Sequence, residues 1–197
     1  RSHRQSPLAL YVANEMISKS FSVPATDLEE ILARNCRISD TARAARFCRQ
    51  AEQACYFCKD IHYPDVPLHT PTFDTTLLSA HIRPGHVTLI DCWASWCGPC
   101  RAAIPKVKAL YDKYGRDRFD VISISLDSKK EDWQKALEEE KMPWPQFIAG
   151  NRGYKQLTSR YNISSIPNLI LIDGKGQVVC NTFSPEEIRI ELEQILR

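Results

Sequence analysis

The feature that most constrains this chain is the apolar run Val87-Thr-Leu-Ile-Asp-Cys-Trp-Ala94, followed within three residues by Cys97-Gly98-Pro99-Cys100. Val87–Ala94 is rich in β-formers and apolar on both faces. It therefore predicts a central strand whose two sides are both covered. Residues from Cys100 to Tyr114 read as a helix with Pro105 inside it. The cysteine pair thus sits where a strand hands over to a helix. The first amides of a helix have no intrahelical partner, and the dipole presents positive potential there. A thiolate on Cys97 can accept those amides, so its pKa is expected below the ordinary ~8.5. The thiolate is the attacking species in disulfide exchange. Cys100 lies one turn further in, is expected to be less exposed, and can close a disulfide onto Cys97. Pro99 has no amide to donate, and its fixed φ suits the first helical turn. Zinc sites also use C-x-x-C, but they need a second ligand pair. The rest of this domain offers none, and the five histidines are scattered, so the pair reads as redox and no metal is expected.

Around this motif the chain divides in two. Residues 1–62 read as helical: a run from Pro7 to Ile17, a capping box at Thr26 and Glu29, and a third helix from Ser39 or Asp40 to about Lys59. Three prolines at 64, 67 and 71 mark a linker over Tyr63–Thr72. After it, strands alternate with helices. Phe119–Leu126 predicts a second buried strand, Lys130–Lys141 an amphipathic helix and Tyr154–Tyr161 a short helix. Asn168–Ile172 and Gln177–Cys180 predict a hairpin, and Pro185–Leu196 a closing helix. That alternation argues for an α/β sandwich over 63–197 with a mostly parallel sheet and one terminal hairpin.

Formal net charge is +2 with both signs interspersed, which gives no footprint for nucleic acid. The longest apolar runs are far too short to span a bilayer. Residues 1–10 carry neither an apolar leader core nor a cleavage signal, so no address is written there. Eight cysteines in 197 residues lean toward an oxidising compartment. Four of them, Cys36, Cys48, Cys55 and Cys58, lie in the helical part. Ala44, Cys48, Ala51, Cys55 and Cys58 recur at alternating spacings of four and three, a stripe of small core residues. Buried thiols, a structural disulfide and a zinc site all remain open readings for these four.

Asp91-Cys-Trp-Ala-Ser-Trp-Cys-Gly-Pro-Cys100 resembles the active-site segment of the thioredoxin superfamily. Pro105 falls where that family kinks its active-site helix, and Ile166-Pro167, just before a strand, resembles its cis-proline. Ser125-Leu-Asp127, Trp133, Trp144-Pro-Gln146 and Ile166–Gly174 are similar to the TlpA/ResA-like branch, over roughly residues 64–197. The resemblance implies a thioredoxin-like three-layer α/β/α sandwich with an N-terminal helical segment. It also implies a chain that is the C-terminal part of a longer protein with an N-terminal β domain. Members are usually exported, so the implied location is the periplasm or cell envelope, with the cytoplasm left open. Two positions depart from the pattern. Cys92 replaces an aromatic, and Asn168 stands where a small residue or threonine is commoner. In the family's strand order Cys92 and Cys180 lie two strand spacings apart, ~9.6 Å, beyond the ~7 Å that a disulfide spans.

The implied activity is thiol:disulfide exchange, with Cys97 as nucleophile, Cys100 as resolving thiol and Asp91 as buried proton acceptor. A solvated strand-end acid is the plainer reading of Asp91. Trp96, Gly98, Pro99, Ile166, Pro167 and Trp144 are the expected substrate contacts, although Trp96 and Trp144 also suit core packing. The Gly-Pro dipeptide resembles reducing thioredoxins, which favours a reductase. No cofactor is expected beyond the cysteine pair. The expected partners are a protein disulfide and an upstream thiol electron donor. Two other functions stand beside this one. One is a non-catalytic, chaperone-like module that binds peptides in the groove at Pro167. The other is a thiol peroxidase, which would want the upstream Pro-Thr-Cys arrangement of peroxiredoxins that this chain lacks; AhpC/TSA-redoxin-like describes the main reading.

Overall fold

In the computed structural model, residues 61–115 and 118–197 are described. The heart of the fold is β4 (Val87–Trp93), in which every residue is buried. β5 (Phe119–Ser125) runs parallel to it in register from Val87↔Phe119 to Trp93↔Ser125. A parallel pair needs a long crossover, and α1 (Gly98–Tyr114) supplies it. Its buried residues Cys100, Ile104, Val107 and Leu110 recur on one face. The helix stops at Gly115, whose φ of 70° suits a residue without Cβ. α2 (Lys130–Glu140) and β6 (Gln146–Ile148) follow, with β6 parallel to β5. α3 (Gly150–Arg160), β7 (Asn168–Ile172), β8 (Gln177–Thr182) and α4 (Pro185–Ile195) complete the C-terminal part.

The layers follow from the alternation of strand side chains. Val87 and Leu89 face Val107 and Leu110 of α1 and Ile188 and Leu192 of α4. Trp93, on the same face, packs with Cys97, Cys100 and Ile104 of the active-site segment and Trp133 of α2. Ile90 and Cys92 face the other way, toward Leu157 and Tyr161 at the end of α3. The α/β/α sandwich expected from the sequence is therefore present.

The sheet itself differs from expectation. With β1 (Ile61–His62), β2 (Pro67–His69) and β3 (Thr75–Leu77), it has eight strands in the order β1-β8-β7-β4-β5-β6-β2-β3. Only β4–β5 and β5–β6 are parallel, so the sheet is mixed. The proline-rich stretch expected as a linker is part of the fold. β2 (Pro67–His69) pairs with β3 (Thr75–Leu77) and touches β6 through His69↔Ile148. Val66 and Leu68 are fully buried. Asp65 accepts from the Ser79 N–H at 2.9 Å and the Ser79 hydroxyl at 2.7 Å. The Tyr161 hydroxyl donates to the Pro64 carbonyl at 2.7 Å. Pro67 is tolerated because it opens a short strand near the sheet edge. α3 begins at Gly150, earlier than the expected Tyr154, and presses on this segment. A Cβ on Gly153 would stand 2.3 Å from the Pro67 carbonyl oxygen.

Ile61–His62 form β1, antiparallel to β8, and are not helical. The helices expected further upstream, and Cys36, Cys48, Cys55 and Cys58 with them, lie outside the described residues.

Candidate active site

β4 ends at Trp93, and a tight turn carries the chain over to α1. The Cys97 N–H donates to the Ala94 carbonyl at 3.0 Å. Cys97 is the N-cap of α1, and its sulfur accepts the Cys100 N–H at 3.2 Å. The helix therefore starts on the sulfur itself. Cys97 and Cys100 are joined in a disulfide, with their Cα atoms 5.2 Å apart. Both residues are buried, Cys97 at 5% and Cys100 at 2% relative exposure, so the difference in burial is in the expected direction but small. Gly98 and Pro99 between them are exposed, and Trp96 is 70% exposed.

The loop from Ile163 to Pro167 lies against this helix head. Ile166-Pro167 is a cis peptide, as the resemblance implied. Ile166 is half-buried and packs on the cluster that holds Cys97 and Cys100. Trp96 and Ile166 line a common cavity of about 580 Å³, with Leu126, Ser128, Tyr154 and Ile163 among its other walls.

Asp91 is 4% exposed, which excludes a solvated strand-end acid. It alternates with Leu89 and Trp93 and so belongs to the sheet face that α1 covers. Burial pushes its pKa up to about 6, and a hydrogen bond donated by the Ser123 hydroxyl at 2.9 Å acts in the opposite direction. Cys92 points to the opposite face and is also buried. Burial and the neighbouring Asp91 charge raise its thiol well above the ordinary value. A thiol so disfavoured as thiolate does not suit a nucleophile. As expected, Cys92 and Cys180 form no disulfide.

Of the two roles the sequence leaves open for Trp144, groove contact and core packing, the structure shows packing, and the expected substrate contact is corrected: the residue is buried at 4% exposure. Its indole N–H donates to the Ser123 hydroxyl at 2.8 Å, and its ring meets Tyr111 edge-on at 5.3 Å. An amphipathic residue needs one partner for its N–H when buried, and here the partner lies beneath α1. Asn168 is accounted for by its amide, which donates to Asn181 on β8 at 2.8 Å.

Asp127 is a residue that sequence reasoning left without a role. Its carboxylate is 6% exposed and accepts from the Ser95 N–H at 2.9 Å, the Ser95 hydroxyl at 2.7 Å and the Ser125 hydroxyl at 2.7 Å. This clamps the turn that presents Cys97 to the end of β5. Among the described residues no three His, Cys, Asp or Glu side chains are grouped to hold a metal. No helix among them is long and apolar enough to cross a membrane.

A thioredoxin-like family matches residues 85–178. The thiol-disulfide oxidoreductase ResA of Geobacillus kaustophilus is 26% identical over 133 residues, which is 64% of this chain and 75% of that protein. The matched stretch covers 61% and 64% of two further bacterial thiol-disulfide oxidoreductases. A solved thioredoxin domain of a Bacteroides vulgatus thiol-disulfide oxidoreductase superposes with a TM-score of 0.64. It is 24% identical and covers 71% of this chain and 98% of its own. A provisionally named thiol:disulfide interchange protein DsbE of Chlorobium tepidum is 33% identical. It covers 70% of this chain and 95% of its own, with a TM-score of 0.56.

Proposed function

The chain belongs to the thioredoxin-like family, as a thiol:disulfide oxidoreductase of the ResA/TlpA-like kind, and from that premise we propose that it reduces protein disulfides through Cys97 and Cys100. The observation that carries the reading is the Cys97–Cys100 disulfide at the head of α1, beside the half-buried Ile166. In the reduced protein the Cys97 thiolate is stabilised by the free amides of α1. It attacks one sulfur of a substrate disulfide, a Cys97–substrate bond forms, and the other substrate sulfur leaves as a thiolate. Cys100 then loses its proton to Asp91. The new thiolate attacks the Cys97 sulfur, closes Cys97–Cys100 and expels the second substrate sulfur. Two electrons pass from the dithiol to the substrate, and the enzyme is left in the disulfide state.

Asp91 suits this role because its proton affinity is raised into the neutral range, where a group both accepts and returns a proton. Trp96 and Ile166 supply an apolar bed for the substrate chain, and the exposed Gly98 and Pro99 leave the approach to the sulfur open. The family resemblance gives Ile166 and Pro167 the part of holding an extended peptide in β fashion beside Cys97. The redox couple is the cysteine pair, and the reaction needs no further cofactor. An upstream thiol donor restores the dithiol, and the family resemblance favours a periplasmic or cell-envelope setting for that exchange.

Turnover of a protein disulfide, with a chemical dithiol as donor, tests the reading. The parent should reduce it catalytically and Cys97→Ser should not. Cys100→Ser should accumulate an enzyme–substrate mixed disulfide. Binding of the substrate without any reduction would instead favour a non-catalytic module. Turnover of hydroperoxides at a rate matching that of disulfides would favour a peroxidase.

A further inference from the structure

Ser123 stands in register with Asp91 across the β4–β5 pair, and both are buried. Three groups surround the Ser123 hydroxyl: Asp91 Oδ2 at 2.9 Å, Trp144 Nε1 at 2.8 Å and Met142 Sδ at 3.8 Å. An indole N–H only donates, and a hydroxyl carries one proton. The Trp144 N–H therefore takes a lone pair of Ser123, and the Ser123 proton goes to one of the two remaining groups. The carboxylate is nearer, and it is a far stronger acceptor than a thioether. Donation thus runs from Trp144 to Ser123 to Asp91.

We propose that Ser123 and Trp144 are positioning residues for the resolving step, holding one proton aimed at Asp91 and so setting the pH above which that carboxylate can deprotonate Cys100. The proposal rests on the reading of Asp91 as the base. A hydrogen bond donated to the ionised form favours that form, whereas burial disfavours it. Hydrogen bonds in a chain polarise one another, so the Trp144 N–H strengthens the bond that Ser123 makes. The two residues therefore limit how far burial can raise the proton affinity of Asp91, and they keep a usable fraction of base near neutral pH.

Few other titratable groups are placed to do this. Cys92 is next in the strand, but its thiol is held neutral. Across β7 the register partner of Asp91 is Leu169. On the α1 side the helix head carries Cys97, Cys100 and Arg101, whose guanidinium is paired with Glu139 and Glu140, and Tyr111 lies beyond the Trp144 ring. Among the described residues the side-chain partner of Asp91 is the Ser123 hydroxyl, and no lysine, arginine or histidine forms an ion pair with it. A cation is thus not available to stabilise the carboxylate, and a neutral donor pair does that work.

The test uses the reduced full chain, with Ser123→Ala, Ser123→Thr and Trp144→Phe. One readout is the Asp91 carboxyl resonance titrated by NMR. The other is the pH profile of resolution, measured from a preformed mixed disulfide between Cys97 and thionitrobenzoate. Ser123→Ala should raise the Asp91 midpoint by about one pH unit or more. The acid limb of resolution should move with it, so that the rate below the midpoint falls about tenfold. Ser123→Thr restores the hydroxyl and should restore both. Trp144→Phe should move both the same way by less, and it tests the chain without touching Ser123. An Asp91 midpoint unmoved in both Ser123→Ala and Trp144→Phe would overturn the proposal and leave Asp91 as base untouched. A midpoint that moves while resolution stays in place would instead overturn Asp91 as the base, and the proposal with it.

Discussion

Asp91 and Asp127 are two carboxylates buried to nearly the same degree, 4% and 6% exposed, one within β4 and the other just beyond the end of β5. Asp127 accepts three hydrogen bonds from Ser95 and Ser125. For Asp91 the side-chain donor is the single hydroxyl of Ser123, and burial raises its pKa to about 6. A buried charge is tolerable when its lone pairs are met by donors. Asp127 satisfies that condition and serves as a fixed bracket for the turn before Cys97. Asp91 satisfies it only in part and is left able to change its protonation state. The two sites teach that burial alone does not make an acid functional. The donors aimed at it decide whether its lone pairs are all engaged, as in a fixed bracket, or left partly unmet.

The strongest way to break this comparison is Asp91→Asn, which keeps the shape and removes the base. Its mixed disulfide on Cys97 should form, but resolution by Cys100 should slow by ~10²-fold or more, the usual scale for loss of a general base. Single-turnover kinetics measures it. Unchanged resolution would make Asp91 a structural residue like Asp127.

The next effect is on stability. The Asp91 pKa is raised from 3.8 in the unfolded chain to about 6 in the folded one. The native state therefore binds more protons than the unfolded state in that window. The contribution is fully present below about pH 4 and is lost as pH rises through about 6, a fall of about 3 kcal/mol. Asp91→Asn should remove that slope and be the more stable protein at pH 7. Denaturant midpoints of the oxidised protein between pH 4 and 8 read this directly. A parent and variant with parallel curves would show that Asp91 is not the group that titrates.

Asp127→Ala should behave in the opposite way. It removes an acceptor and leaves Ser95 and Ser125 donors unmet, a loss of about 2–3 kcal/mol. The variant should also lose definition in the turn before Cys97, seen as a change in the pH profile of Cys97 alkylation. A variant that is as stable as the parent would mean that solvent replaces the bracket. Ser125→Ala removes a single donor to Asp127. It should cost about 1 kcal/mol and leave disulfide turnover within a few-fold of the parent. A larger loss of turnover would make Ser125 part of the reaction and not only of the bracket.

Some of this was legible in the residues and some was not. The order of β4, α1, β5 and the C-terminal hairpin followed from period and turn chemistry, because each element is long enough to carry its own pattern, from five residues in β7 to seventeen in α1. β2, β3 and β6 are three residues each, too short to show an alternation, and β2 was masked by three nearby prolines. For Trp144 groove and core both stay open in the sequence, because spacing cannot say on which side of a sheet a lone tryptophan closes. In the sequence Asp127 belongs to a family phrase and shows no role, since the serines that it binds are at 95 and 125 and meet it only after β4 and β5 pair.

Local chemistry by itself determined the redox pair, the strand that leads to it, the helix that opens on Cys97 and an acid placed inside an apolar strand. These depend on neighbours within one turn or one strand, and the sequence contains them in full. The tertiary structure decided what surrounds the acid. Ser123 reaches Asp91 because two distant strands pair in register, and Trp144 reaches Ser123 because the chain entering β6 returns to the same face. A carboxylate's proton affinity is set by the burial and donors around it, and those arrive from segments 32 or more residues away along the chain.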